Sequence, residues 1–157
     1  MGTCLIARSG YPELTPMDPS LEEDSLLRID FGKLQTLPSQ SGVVPCVAQD
    51  VDTGRVLMLA YVNQQALEET LARRTAVFWS TSRDRLWVKG STSGDYLDLI
   101  EVRVNCEQNS LLYLVRPRQS GVCHTRDATG AHRDSCYYRV LEDGHLVHRP
   151  ISAPWLS

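Results

Sequence analysis

Two apolar runs, Val43 to Ala48 and Val56 to Val62, flank the polar stretch Gln49-Asp50-Val51-Asp52-Thr53-Gly54, the pattern of two buried strands joined by a turn. Asn63 then caps a helix in which Ala66, Leu67, Thr70 and Leu71 share one face, while Glu68, Glu69, Arg73 and Arg74 lie elsewhere. Short strands follow at Ala76 to Ser80 and at Leu86 to Lys89. Between Tyr96 and Cys106, Ile100, Val102, Val104 and Cys106 alternate with Glu101, Arg103 and Asn105, which predicts a half-buried strand. Leu111 to Val115 is the next strand, stopped by Pro117, and Tyr137 to Leu141 pairs with Leu146 to His148 across Glu142-Asp143-Gly144. About seven or eight strands around one main helix place the chain in the α+β class, as a strand-rich roll or partial barrel.

The flanks differ from this core. Residues 1–30 read as an extension with Pro12, Pro16 and Pro19, in which Asp18-Pro19-Ser20 followed by Leu21, Leu26 and Leu27 has the form of a short helix start. Residues 31–150 form the domain and 151–157 a tail. Of the 157 residues, 42% are hydrophobic and 22% charged, the composition of an ordinary globular domain with its own core. The net charge of −3 comes without a Lys/Arg block, so neither nucleic acid nor an anionic membrane is an expected partner. No run approaches the ~18 apolar residues of a spanning helix. The first residues lack the form of an export signal, and a cytoplasmic location is expected.

Charge thus points to a small-molecule partner, and the cysteines point to its chemistry. Five of them, Cys4, Cys46, Cys106, Cys123 and Cys136, do not make a disulfide framework. Cys46 reads as a small hydrophobe in its strand, and Cys4 belongs to the extension. Cys106, Cys123, His124 and Cys136 are soft and borderline donors suited to Zn²⁺, with three cysteines leaving an open position at which a water is acidified. His124 is either a fourth ligand or the group that manages a proton. No Cys-x-x-Cys pair occurs, so by spacing alone buried free thiols are the preferred reading over a metal site. His132, His145 and His148 read as solvated loop and hairpin residues.

Several motifs occur together in one order. Gln49 to Asn63 resembles the opening signature of the phosphoribosyl-AMP cyclohydrolase family. Phe78-Trp79-Ser80-Thr81-Ser82-Arg83 is similar to its Trp-Ser-x-Ser-Arg motif, and Leu86-Trp87-Val88-Lys89-Gly90-Ser91-Thr92-Ser93-Gly94 to its Trp-x-Lys-Gly-x-Thr-Ser-Gly motif. Cys123-His124-Thr125 and Ser135-Cys136-Tyr137-Tyr138-Arg139 resemble the halves of its cysteine signature. The resemblance implies a homodimer and Zn²⁺ bound by Cys106, Cys123 and Cys136 across the dimer interface. It also implies a second metal, Mg²⁺, and hydrolysis of the N1–C6 bond of the adenine ring in phosphoribosyl-AMP, a step of histidine biosynthesis. On this reading His124 and Lys89 are catalytic, His124 carrying the proton for the departing nitrogen. Arg83, Thr92, Ser93 and Gly94 meet the phosphates of the nucleotide, and Trp79 is placed to stack on its purine.

The sequence departs from that family in two places. Asn105-Cys106-Glu107-Gln108-Asn109 stands where the family has Asp-Cys-Asp-x-Asp, so two of three Mg²⁺ carboxylates are neutral amides. Strand alternation sets Asn105, Glu107 and Asn109 on the face opposite Cys106, a weak Mg²⁺ site unless substrate phosphate joins it. The loop from Arg126 to Asp134 is longer than the family's spacer, and Arg126 and Arg133 read as a solvated basic stretch with the option of phosphate contacts. Two other functions compete with the hydrolase. A non-catalytic zinc-binding relative has no reason to keep Arg83, Lys89, Thr92, Ser93 and His124 together, and a thiol redox protein would favour Cys-x-x-Cys.

Overall fold

The computed structural model describes Glu23, Ser25 and residues 42–149. The short helix expected near Ser20, and Cys4, lie outside the described residues. Eight strands and one helix follow in order: β1 (Val44–Asp50), β2 (Val56–Val62), α1 (Gln64–Arg73), β3 (Val77–Ser80), β4 (Arg85–Val88), β5 (Leu97–Val104), β6 (Leu111–Pro117), β7 (Arg139–Glu142) and β8 (His145–His148). The expected strand-rich α+β architecture is therefore present, with strand ends differing by a few residues.

The first six strands form one sheet in the order β4-β3-β2-β1-β6-β5. β1 lies between antiparallel β2 and parallel β6, pairing Cys46 with both Ala60 and Leu111. The sheet curls into a half barrel. Its free edge meets the segment leading into β3, where Ala76 N–H donates to the Leu97 carbonyl and Leu99 N–H to the Arg74 carbonyl, each at 2.9 Å. An edge strand with its polar backbone satisfied in this way is protected from pairing elsewhere.

Inside the curl, alternate residues of three strands contribute to the core, Cys46 and Ala48 from β1, Leu97 and Leu99 from β5, Tyr113 and Val115 from β6, while β2 and β3 bury the adjacent pairs Leu57-Met58 and Val77-Phe78. Phe78 sits among them with its ring 5.7 Å from both Trp87 and Tyr113. The Asn63 side chain accepts from Ala66 N–H at 2.8 Å and starts α1, which ends at Arg74 in the left-handed conformation. α1 closes the barrel with a narrow stripe, Ala66 and Thr70, rather than the broader face expected: Leu71 is 49% exposed. Thr70 is fixed there because its hydroxyl accepts from Val77 N–H at 3.0 Å and from Tyr113 O–H at 3.4 Å. One step round the helix, Leu71 points away from that anchor.

β7 and β8 form a separate ribbon joined by Asp143 and Gly144, both at positive φ as a tight two-residue hairpin requires. Between β6 and β7 the chain runs back under the sheet. Ser135 is fully buried and donates to the carbonyls at Val56 and Leu57, while Cys136 N–H donates to the Leu57 carbonyl at 2.8 Å. These bonds fix Cys136 beneath β2.

Candidate active site

The loop from Cys123 to Cys136 is a small hairpin. Val122 and Cys123 N–H both donate to the Arg133 carbonyl at 2.8 Å, and Arg133 N–H returns to the Thr125 carbonyl at 3.1 Å. Asp127 turns the tip by accepting from Thr129 N–H and O–H at 2.8 and 2.6 Å. The extra residues thus form an ordered arm that brings Cys123 and Cys136 together at its base.

At that base the Cys136 thiol hydrogen-bonds the Cys123 sulfur, which also lies 3.1 Å from the Thr125 hydroxyl. The Cys136 thiol, opposed by burial and helped by Thr125, holds Cys123 well below the usual thiol range. As the donor of that bond, and with its sulfur drawn toward the site and away from solvent, Cys136 is pushed up instead, although the residue as a whole is exposed. Cys46, buried in β1, is pushed up to about 12 by loss of solvent and has no part in this pair.

Lys89 lies close enough to the two sulfurs to feel their charge. It is 6% exposed, and its Nζ donates to the Asp95 carbonyl at 3.2 Å. Burial lowers its ammonium pKa, while the charges of Asp95, Cys136 and Cys123 oppose that shift. A solvated end of strand is therefore not its setting. The Gly90 to Gly94 turn puts it there: a Cβ on Gly90 would lie 2.4 Å from Tyr96 N, so only glycine lets the turn fold back this tightly. Ser93 Oγ accepts from Asp95 N–H at 3.2 Å and Gly94 N–H donates to the Gly90 carbonyl at 2.8 Å.

Asp95 is 3% exposed, and its Oδ2 lies 2.5 Å from His132 Nδ1. Burial resists ionisation of this carboxyl, but Ser93, His132 and Lys89 together hold it below the ordinary carboxylate range. His132 is not the solvated loop residue the sequence suggests. Gly121 packs against it so closely that a Cβ there would lie 2.3 Å from His132 Cβ. Asp95, His132, Thr125 and Ser135 are the residues that the sequence reading missed. The signal for Asp95 was its position directly after the Gly90 to Gly94 motif. Nothing in local pattern pairs it with a histidine in a loop of unusual length.

The other expected residues fall elsewhere. His124 is exposed beside Cys123. Arg83 and Thr92 are exposed and line one shallow pocket of about 280 Å³ with Trp87 and Ser91. Trp79 is half-buried on β3, its indole N–H buried without an acceptor among the described residues. Arg126 closes the loop's own hairpin by donating to the Gly130 carbonyl at 2.7 Å.

Cys106 stands apart from the thiol pair. It follows β5, whereas Cys136 hangs from β2, and β1 and β6 lie between those strands. Among the described residues, no three Cys, His, Asp or Glu side chains of one chain converge as a metal-binding set. β5 also ends at Val104, so residues 105 to 109 do not continue its alternation. Gln108 takes a left-handed φ of 56° and its N–H donates to the Asn105 carbonyl at 3.0 Å, making a turn. Asn105, Glu107 and Asn109 still meet, but through one another. Asn105 Nδ2 donates to Asn109 Oδ1, and Asn109 Nδ2 to Glu107 Oε2, each at 2.8 Å.

The site thus joins a buried Cys123 and an exposed Cys136 to the buried Lys89 that follows β4 and precedes the glycine-framed turn. The phosphoribosyl-AMP cyclohydrolase family model matches residues 58–138. The chain belongs to the phosphoribosyl-AMP cyclohydrolase family. It is 41% identical to the phosphoribosyl-AMP cyclohydrolase of Hyphomonas neptunium over 133 residues, covering 85% of this chain and 95% of that protein. The enzyme of the same name from Caulobacter vibrioides is 48% identical over 109 residues, 69% of this chain and 74% of that protein. The histidine biosynthesis bifunctional protein of Aquifex aeolicus is 38% identical over 113 residues, 72% of this chain and 52% of that longer protein. The matched cyclohydrolase segment holds Lys89, Asp95 and all three of Cys106, Cys123 and Cys136, while β8 lies beyond it. No helix among the described residues is long and apolar enough to cross a membrane.

Proposed function

We propose that this cyclohydrolase opens the adenine ring of phosphoribosyl-AMP at the N1–C6 bond, in histidine biosynthesis in the cytoplasm, as a zinc-dependent homodimer. The observation that carries the reading is the Cys123–Cys136 pair with Lys89 and Asp95 behind it, in a chain of this family. A thiolate beside a thiol, both available to a soft cation, fits Zn²⁺. Cys106 of a second chain supplies the third donor. Val56 and Val104, both exposed, line a shallow apolar groove with Val47 and Leu112 next to Cys106, and this is the face that a second copy covers.

Bound zinc would be held by Cys106, Cys123 and Cys136 and would supply the Lewis acidity that makes hydroxide available near neutral pH. The protein supplies the rest. Ribose on N1 leaves the purine electron-poor at C6, where the water oxygen bonds. The C6–N1 bond breaks, the oxygen stays as the carboxamide carbonyl, and N1 takes up a proton. His124, exposed beside Cys123, is the residue placed to deliver it. Lys89, too buried to reach bulk phosphate, balances the negative sulfurs from behind. Arg83 and Thr92 offer donors to a phosphate at their pocket, and Trp79 an aromatic face for the purine. Mg²⁺ joins only with substrate, because Glu107 is the one carboxylate among Asn105, Glu107 and Asn109.

Spectrophotometric turnover of phosphoribosyl-AMP by the zinc-loaded protein tests this, since ring opening changes the chromophore. Turnover that falls with chelation of zinc is the expected result. Zinc bound without turnover would sink the hydrolase reading and leave a non-catalytic zinc protein.

A further inference from the structure

A cleft of about 470 Å³ lies between the Cys123 to Cys136 hairpin and the β7–β8 ribbon. Its basic residues are Arg133, Arg149, His132 and His148, and its acids are Asp127 and Asp134. Most of these charges are already balanced. Asp127 is consumed by the turn donors of Thr129 and Ala131, Asp134 pairs with Arg55, and Arg149 with Glu142. Arg133 differs. Its side chain is 10% exposed, its guanidinium lies 4.1 Å over the Tyr138 ring, and its described carboxylate partner, Glu23, comes from outside the barrel.

The Glu23 carboxylate lies against two of the residues that line this cleft. Arg133 donates to both of its oxygens, at 2.9 and 3.4 Å, and His148 Nε2 lies 3.6 Å from the second. A planar guanidinium fork with an imidazole at its flank is an arrangement for an oxyanion. Glu23 is itself 56% exposed, so its hold on the site is that of a surface ion pair and is readily given up. On the opposite wall His132 is held through Nδ1 by Asp95, and its Nε2 has no partner among the described residues. The same Asp95 accepts from Lys89 at its carbonyl, so His132 of the cleft is linked through Asp95 and Lys89 to the thiol pair. The phosphates of a nucleotide sit at the end of its ribose arms, away from the purine ring, and so call for a place of their own beside the reacting centre.

We propose that this cleft is a subsite for a phosphate monoester of the nucleotide substrate, with Arg133 as its principal ligand, His132 and His148 as flanking donors, and Glu23 as an internal competitor. The inference rests on the nucleotide substrate of the proposed function. It goes further in giving one phosphate a place built from the longer loop and from β8, which the family match does not reach.

The test uses the full-length zinc-loaded protein and its Glu23→Gln, Arg133→Gln and Arg133→Lys variants. KM for phosphoribosyl-AMP is measured alongside calorimetric binding of ribose 5-phosphate and of inorganic phosphate. Arg133→Gln should raise KM at least tenfold. Arg133→Lys, which keeps the charge and loses the fork, should raise it less, and Glu23→Gln should lower it severalfold while tightening ribose 5-phosphate binding. If Arg133→Gln does not fold, Arg133→Lys and the exposed Glu23→Gln carry the test. Unchanged KM in those two folded proteins overturns the proposal, as does free phosphate binding that leaves KM unmoved. Should phosphoribosyl-AMP not be turned over at all, the calorimetric arm still decides. Binding tightened by Glu23→Gln and weakened by Arg133→Lys would sustain the subsite while the proposed reaction fails, and no such response would end both.

Discussion

Asp95 and His132, 37 residues apart in sequence, meet with Oδ2 and Nδ1 separated by 2.5 Å, and this contact ties the Gly90 to Gly94 turn to the hairpin that carries the cysteines. The carboxyl is buried yet held below its ordinary pKa, so its charge stabilises the folded state. That contribution is complete above the unfolded value of about 3.9 and is lost as pH falls through the folded value. Asp95→Asn should therefore cost on the order of 1–3 kcal/mol near neutrality. Urea unfolding at neutral pH and again well below pH 4 checks this: the gap between the two proteins should close on acidification. A gap independent of pH would mean that shape, not charge, makes the contact matter.

The cysteines give a second prediction. Cys106→Ser, Cys123→Ser and Cys136→Ser should each remove zinc and activity together, read by metal analysis and turnover. Cys106 is on the far side of β1 and β6 from the thiol pair, so a zinc site needing all three draws on two chains. Mixing inactive Cys106→Ser with inactive Cys136→Ser chains, after unfolding and refolding together, should then restore part of the activity. A mixture as inactive as its components would exclude a shared site.

Much of the barrel was legible because strands such as β1 and β6 obey simple periodicity, but in β5 an irregularity between Leu99 and Glu101 leaves Leu97 and Leu99 buried and exposes Ile100 and Val104, which alternation sets on the buried face. Cys46 and Ala48 face one way along β1, and Asn63 stops β2 and caps α1 with a single side chain. Reading failed where tertiary contacts overrule local pattern. Leu71 fits the helical stripe, yet the helix is held by Thr70 bonding to β3 and β6, and Leu71 is left exposed. Alternation carried past Val104 missed the turn made by Gln108, although Asn105, Glu107 and Asn109 do come together. Of the chemistry, the motifs marked Lys89 and the cysteines, but the Asp95–His132 contact depends on how a long loop folds back. No residue near His132 in sequence announces a buried carboxylate.

Asn105, Glu107 and Asn109 lead to a third prediction. Both amides are engaged with their neighbours, and Asn105 Oδ1 also accepts from Asn109 N–H at 3.0 Å and Ser110 N–H at 2.9 Å. Mg²⁺ must break these bonds and then finds one carboxylate, so calorimetry should detect no tight Mg²⁺ binding to the substrate-free protein. The double substitution Asn105→Asp with Asn109→Asp should create measurable binding, because three carboxylates replace one. Tight binding by the unaltered chain would contradict this account.

Two glycines separate backbone strain from crowding. Gly54 and Gly90 have φ of 71° and 89°, both left-handed, but a Cβ on Gly54 meets nothing within 4 Å whereas one on Gly90 would lie 2.4 Å from Tyr96 N and 2.5 Å from the Asp95 carbonyl carbon. Gly54→Ala should thus cost only the conformational strain, about 1–2 kcal/mol, and leave activity intact. Gly90→Ala adds a collision with backbone that no side chain can relieve, so its cost should exceed ~3 kcal/mol, above the range of strain alone. The displaced segment is Asp95-Tyr96, which holds both Lys89 and His132, so turnover should fall even where enough folded Gly90→Ala protein is recovered to assay. Denaturation midpoints with turnover per folded molecule distinguish the two. Equal losses in both variants would show that the turn tolerates a methyl group and that its glycine does not set the position of Lys89.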